Sequence, residues 1–80
     1  MTTELAHAET RLAELMAKYD RANAKCIAYG NQYQSLRDTD TAEEATAHRR
    51  YRIWQTKSIA ADYGVWMCKE TIRNLKAGRI

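Results

Sequence analysis

The chain has 80 residues, no proline, no phenylalanine and only three glycines, so it has room for one domain, residues 1–80, and few turns. That composition disfavours multi-stranded β folds, and the short length disfavours an enzyme with a deep pocket. With 29% charged and 45% hydrophobic residues the chain is not disordered by composition, and its net charge of +3 suits either an acidic partner or an ordinary solvated surface.

The first half of the chain has the periodicity of one long helix, predicted over residues 3–37. Its apolar positions alternate three and four residues apart from Leu5 to Leu36 and include no charged residue, which is the pattern of a heptad seam. Gly30 lies beside this seam and is expected to cost ~1 kcal/mol relative to alanine without ending the helix. An outer stripe of mostly small residues would let another helix approach closely: Ala6, Thr10, Ala13, Ala17, Asp20, Ala24 and Ile27.

A capped turn and a second helix, predicted over residues 41–77, follow. Thr41 and Glu44 have the spacing of a capping box at the start of that helix. A second heptad seam runs from Ala47 to Leu75, and Gly78 is the expected residue just past the helix end.

The two seams predict an all-α fold, an antiparallel two-helix hairpin in which facing residue numbers add up to about 79. Large and small side chains then alternate across the contact, as dense packing requires. Two thin helices bury little surface, so we expect the hairpin to form a homo-oligomer, a dimer of the four-helix-bundle type.

A group of large side chains on the second helix lies off the predicted seam. Ile59, Tyr63 and Trp66 follow the i, i+4, i+7 spacing of one helix face. Such a patch indicates either the core of a self-assembled bundle or a surface for a different protein, while isolated surface aromatics are the third alternative. The predicted partner-binding residues are Ile59, Tyr63, Trp66, Met67, Arg52 and Arg73.

The residues that could carry chemistry are too far apart to act together. In the predicted hairpin Cys26 and Cys68 cannot reach each other for a disulfide, so we expect buried, reduced thiols. His7 and His48 are also far apart along the rods, and His48 is expected to face solvent. We therefore predict no metal site, no cofactor, no catalytic residues and no enzymatic activity.

A basic tract covers residues 48–57 and contains no acid. It has three interpretations: a site for RNA, DNA or a charged nucleotide, a surface for an acidic protein, or a solvated helix partly paired with Glu43, Glu44 and Asp62. The candidate nucleic-acid-binding residues are Arg49, Arg50, Arg52 and Lys57.

Neither a membrane span nor a secretory signal is evident, so the cytoplasm is the expected location. The layout resembles the two-helix subunits of small plasmid RNA-binding hairpin regulators, which dimerise into four-helix bundles; the likeness is architectural and no residue carries across. Short, motif-free, self-assembling chains are also common among bacteriophage accessory proteins, several of which block host machinery by occupying a surface.

The functional prediction is a non-enzymatic interaction module that self-associates and acts as an adaptor or inhibitor on another protein. The first alternative is a basic hairpin dimer that binds nucleic acid or a charged nucleotide. The second is a purely structural subunit of a larger assembly.

Overall fold

The computed structural model describes residues 2–78, which form an antiparallel hairpin of two α-helices packed against each other. Helix α1 covers Thr2–Leu36 and helix α2 covers Ala42–Lys76, each of 35 residues. The described residues include no strand. The all-α hairpin is therefore confirmed, and each helix begins and ends within one residue of its predicted bounds.

Two aspartates with left-handed backbone conformation make the turn between the helices. Asp38 and Asp40 have φ angles of 66° and 56°, a region that aspartate tolerates better than most residues do. Thr39 donates both its backbone N–H and its hydroxyl to the Leu36 carbonyl, at 3.1 and 2.7 Å. These two hydrogen bonds pair the Leu36 carbonyl at the end of α1 and stabilise the turn in which the chain reverses its direction.

The start of α2 is capped by Thr41, as predicted. Its hydroxyl oxygen accepts the Glu44 N–H at 3.2 Å, which satisfies one of the unpaired donors of the first helical turn. The other half of the predicted capping box is wrong: the Glu44 carboxylate accepts from the Asp38 N–H across the turn and not from Thr41. Glu44 consequently ties the turn to α2, and its charge suits the positive end of the helix dipole.

Replacing Thr41 by alanine is expected to lower the free energy of unfolding by about 1 kcal/mol, because the cap of α2 is lost. The matched control is Thr56→Ala, since Thr56 is exposed inside α2 and donates only to the Arg52 carbonyl, at 3.0 Å. Alanine is the better helix former there, so this control should be neutral or slightly stabilising. Urea denaturation followed by circular dichroism measures both variants, and equal effects would contradict the capping role.

The C-terminal end of α2 also follows the prediction. Ala77 donates its N–H to the Arg73 carbonyl at 3.0 Å, and Gly78 has a φ of +70°. Glycine adopts this left-handed conformation without the cost that a Cβ would bring. Arg73 and Lys76 in the last turn have the charge that the helix dipole favours at this end.

The contact between the helices consists mainly of small side chains, and every position of the two predicted seams is buried or half-buried. A Cβ atom placed on Gly64 would lie 3.3 Å from Leu15 Cδ2, and Lys25 lies over the Trp54 ring. Both pairings match the predicted register. Heptad packing of the two helices stays a prediction. The buried residues are Ala22, Ala47, Ser58, Ala61, Cys68 and Ile72.

Two features of this contact concern Gly30 and the cysteines. A Cβ atom on Gly30 would lie 3.2 Å from the Tyr51 ring, so the glycine makes room for that ring against α1. Cys26 is half-buried and Cys68 is buried, and both are free thiols, as predicted. The Cys68 thiol donates to the Ala8 carbonyl at 3.2 Å, which links the two helices near their far ends.

The hairpin is long and thin, with Cα extents of 57 × 16 × 13 Å. Its radius of gyration is 17.6 Å, whereas a compact chain of this length has about 12 Å. Within residues 2–78 no large side chain is fully buried. A single helix pair therefore provides only a narrow strip of core. Neither described helix contains a stretch long and apolar enough to cross a membrane.

Candidate functional site

Many of the large hydrophobic side chains lie on the surface of the hairpin. Their exposed fractions range from 44% for Met67 to 66% for Ile59. Scattered exposed hydrophobics are common on soluble proteins, but a group of them on one side indicates an interface. The exposed group consists of Met16, Ile27, Ile53, Ile59, Tyr63, Trp66 and Met67.

The structure brings together the three side chains that the sequence predicts as one patch. The ring centroids of Tyr63 and Trp66 lie 6.2 Å apart with an angle of 31° between the planes. Ile59 lines the same shallow depression, together with Asp62 and Lys69. The patch is thus an aromatic and aliphatic surface that also includes one acidic and one basic side chain.

The other predicted partner-binding residues are less closely grouped. Arg73 pairs with Glu70 at 3.1 Å on the exposed surface. Arg52 is exposed on α2. Met67 lies seven residues after Ala60, and residues with this separation share one stripe of a helix. Met67 is therefore on the stripe of α2 that includes Ala60, and Trp66 is not on that stripe.

A groove of about 700 Å³ lies between the helices on a different side of the hairpin. Five cationic side chains surround it, and no acidic residue of the described chain lines it. Its floor is apolar and consists largely of small residues, with Ala22 and Ala61 nearly inaccessible to solvent. We call it the basic groove; its cations are Arg11, Lys18, Arg21, Lys25 and Lys57.

Trp54 lies in the basic groove under two of these cations. The Lys57 and Lys25 ammonium groups lie 4.3 and 5.5 Å from the centre of its ring. Each such contact is worth about 0.5–1 kcal/mol at an exposed site. Arg11 makes a long ion pair with Glu14 at 3.7 Å between two well-exposed side chains, which contributes little.

Four exposed hydrophobic residues lie opposite the basic groove, and helix geometry shows why. Residues two positions apart in a helix point about 160° away from each other. Each of these hydrophobic residues is two positions from a residue that lines the groove, as Lys57 and Ile59 illustrate. Ile27 lines a separate depression with Gly30 and Tyr51. The four are Met16, Ile27, Ile59 and Trp66; with Tyr63 we call them the apolar side.

The basic tract 48–57 does not form one surface. Arg50 lies 5.6 Å from the centre of the Tyr29 ring, and Lys57 lies over Trp54 on the groove. Arg49 and Arg52 are exposed and line neither that groove nor the depression beside Trp66.

The structure of residues 2–78 does not contain the ion pairs with Glu43, Glu44 and Asp62 that one of the three interpretations of this tract allows. In the described chain, salt bridges join Arg11 to Glu14 and Arg73 to Glu70. Two of the tract's cations lie over aromatic rings instead: Arg50 reaches Tyr29 of α1 across the contact, and Lys57 lies over Trp54, three residues earlier in α2.

In the described chain, neither histidine belongs to a cluster of side chains that could bind a metal ion. His48 is exposed, as predicted, and its ring also packs on Tyr33 with 4.7 Å between centroids. No group of three histidine, cysteine or acidic residues that could hold a metal ion occurs between residues 2 and 78.

Most of the basic groove was not predicted from the sequence, because the continuous basic tract of α2 contains only one of its five cations. Four of the five groove cations come from α1. The sequence does contain a pattern that indicates the groove. Arg11, Lys18 and Lys25 follow each other at seven-residue intervals, a spacing that places them on one helix face.

Comparison with protein-family models finds no match, and neither do comparisons with curated proteins and with solved structures. The apolar side and the basic groove are therefore the basis on which a function can be proposed.

Proposed function

We propose that the chain is a non-enzymatic helical interaction module that pairs with a second copy of itself through the apolar side. The homodimer then acts as an adaptor or inhibitor by occupying a surface of another protein. The two free cysteines support the cytoplasm, a reducing compartment, as its location.

One observation carries this proposal: the buried residues are small and the large hydrophobic residues are exposed. Alanines account for half of the buried positions, whereas Trp66 and Ile59 are more than half exposed. Burial of apolar surface stabilises a fold by roughly 25 cal/mol per Å², so a lone hairpin leaves much of its apolar surface unused. A second copy would supply the missing half of a core.

The distribution of charge supports the apolar side as the contact between copies. Its residues come from both helices, so two hairpins joined through it would form a four-helix bundle. The basic groove would then face outward on each copy. Pairing through the groove would instead bring cations of like charge together, which is unfavourable.

Site-specific photocrosslinking tests this arrangement. We expect p-benzoyl-phenylalanine in place of Tyr63 to give a covalent dimer of the purified chain under ultraviolet light, because Tyr63 lies on the apolar side. The matched control carries the same group in place of Arg21, which lines the basic groove, and should stay monomeric on a denaturing gel. Equal yields at the two positions, or a dimer from position 21 alone, would contradict the proposal.

Binding of RNA, DNA or a charged nucleotide stays a prediction and is the alternative function. It gains support from the cations that surround one groove, although Arg49 and Arg52 lie elsewhere. Its signature would be an affinity for an oligonucleotide that falls steeply as the salt concentration rises.

A further inference from the structure

We propose that the basic groove is a docking site for an acidic amphipathic helix of a partner protein. This inference rests on the proposed function, since it names the partner of the interaction module and the surface that the partner occupies. The groove is distinct from the apolar side, which the second copy of the chain covers.

The shape of the groove fits a helix. It runs between α1 and α2, and along α1 its lining extends from Arg11 to Lys25, a distance of about 21 Å at 1.5 Å per residue. The floor includes Ala22, Ala61 and Gly64, none of which projects far from its helix. Small residues on the floor leave room for a third helix, whose apolar face would lie in the groove as in other helix-in-groove complexes.

Three of the cations along the groove are spaced at the interval at which residues recur on one face of a helix. Arg11, Lys18 and Lys25 follow each other at seven-residue intervals, or about 10.5 Å along α1. Acidic residues at i, i+7 and i+14 of an occupying helix recur at the same interval. Lys57 faces the groove from α2, so carboxylates on both flanks of the occupant would meet cations.

The floor favours a protein helix over a nucleic acid. Single-stranded nucleic acids are held by aromatic faces on which bases stack, but the Trp54 ring already has two ammonium groups within 5.5 Å of its centre. Leu15 and the alanines of the floor give bases no hydrogen-bonding partner. Leucine or alanine side chains of an amphipathic helix would bury this apolar surface and stabilise the complex.

A labelled model peptide tests the proposal directly. The probe is a three-heptad peptide with leucine and alanine on one face and glutamate on both flanks, and its affinity is measured by fluorescence anisotropy. One comparison peptide has the same composition in an order that destroys the amphipathic face. The other comparison probe is a 20-nucleotide oligothymidylate.

We expect the amphipathic peptide to bind at least tenfold more tightly than the reordered peptide and the oligonucleotide. Lys18→Glu should weaken its binding at least tenfold, because like charges would then face each other on the rim. Arg37→Glu is the matched control: it makes the same change of charge on an exposed residue next to the turn, outside the groove, and should change the affinity less than twofold.

Three results would overturn the inference: equal binding of the two peptides, equal effects of the two variants, or tight binding of the oligonucleotide alone. Light scattering measures the mass of each sample, and this mass distinguishes failure of the docking site from failure of the proposed function. A dimer that ignores the peptide overturns only the docking site. A monomer that binds the peptide in the groove overturns only self-association.

Discussion

Replacing Ala61 by glutamate should unfold the hairpin. Ala61 is only 5% exposed and lies in the contact between α1 and α2. Ala61 also borders the floor of the basic groove, but it is packed so closely against α1 that a glutamate side chain has no room there without moving α1 away, and such overpacking costs about 1–3 kcal/mol. Because small domains of this size have little stability to lose, we expect the helical signal in circular dichroism to fall close to that of an unfolded chain at 25 °C.

The neighbouring residue provides the control for this variant. Ala60 is exposed and lines the basic groove beside Lys57, so Ala60→Glu adds the same carboxylate to the same helix in a hydrated, cationic environment. We expect this variant to stay folded with an unchanged or slightly higher thermal midpoint. A folded Ala61→Glu variant, or two variants with equal midpoints, would contradict the observed contact between the helices.

Replacing Trp66 by alanine should separate the two copies of the dimer. Trp66 is 56% exposed and contacts Tyr63 on the apolar side, and large aromatic residues tend to dominate the energy of interfaces. We expect a loss of about 2 kcal/mol or more in assembly, which corresponds to a dissociation constant roughly 30-fold higher. Sedimentation equilibrium at several protein concentrations measures this constant.

Ile53→Ala is the comparison for Trp66→Ala. Ile53 is also exposed on α2, but it precedes Ala60 by seven residues and therefore lies at the outer edge of the basic groove. Its loss should change the dissociation constant less than twofold. If Trp66→Ala leaves the constant unchanged, or if both variants weaken assembly equally, the apolar side is not the contact between copies.

The fold was predictable because its determinants are local. Apolar positions at helical spacing place α1 and α2, and Thr41 and Gly78 mark ends of α2 by capping chemistry that needs no tertiary information. The left-handed conformations of Asp38 and Asp40 could not be predicted in this way. They depend on how the Thr39 and Glu44 hydrogen bonds close the turn, and several closures suit the same residues.

The surfaces were only partly predictable, because they depend on which residues of the two helices share a side. The spacing of Ile59, Tyr63 and Trp66 within α2 was enough to predict one patch. The basic groove needs α1 and α2 in register, since Lys25 and Lys57 meet only at Trp54. Arg50 lies over the Tyr29 ring of α1 for the same reason, whereas Lys57 lies over a ring of its own helix.

The most direct test of the central claim, self-association of the hairpin, is the mass of the unaltered chain in solution. Sedimentation equilibrium over a hundredfold range of concentration should give twice the chain mass of 9.2 kDa at the upper end, with dissociation on dilution. A mass of 9.2 kDa at every concentration would contradict the account. Assemblies much larger than a dimer would contradict it as well and would favour a structural subunit instead.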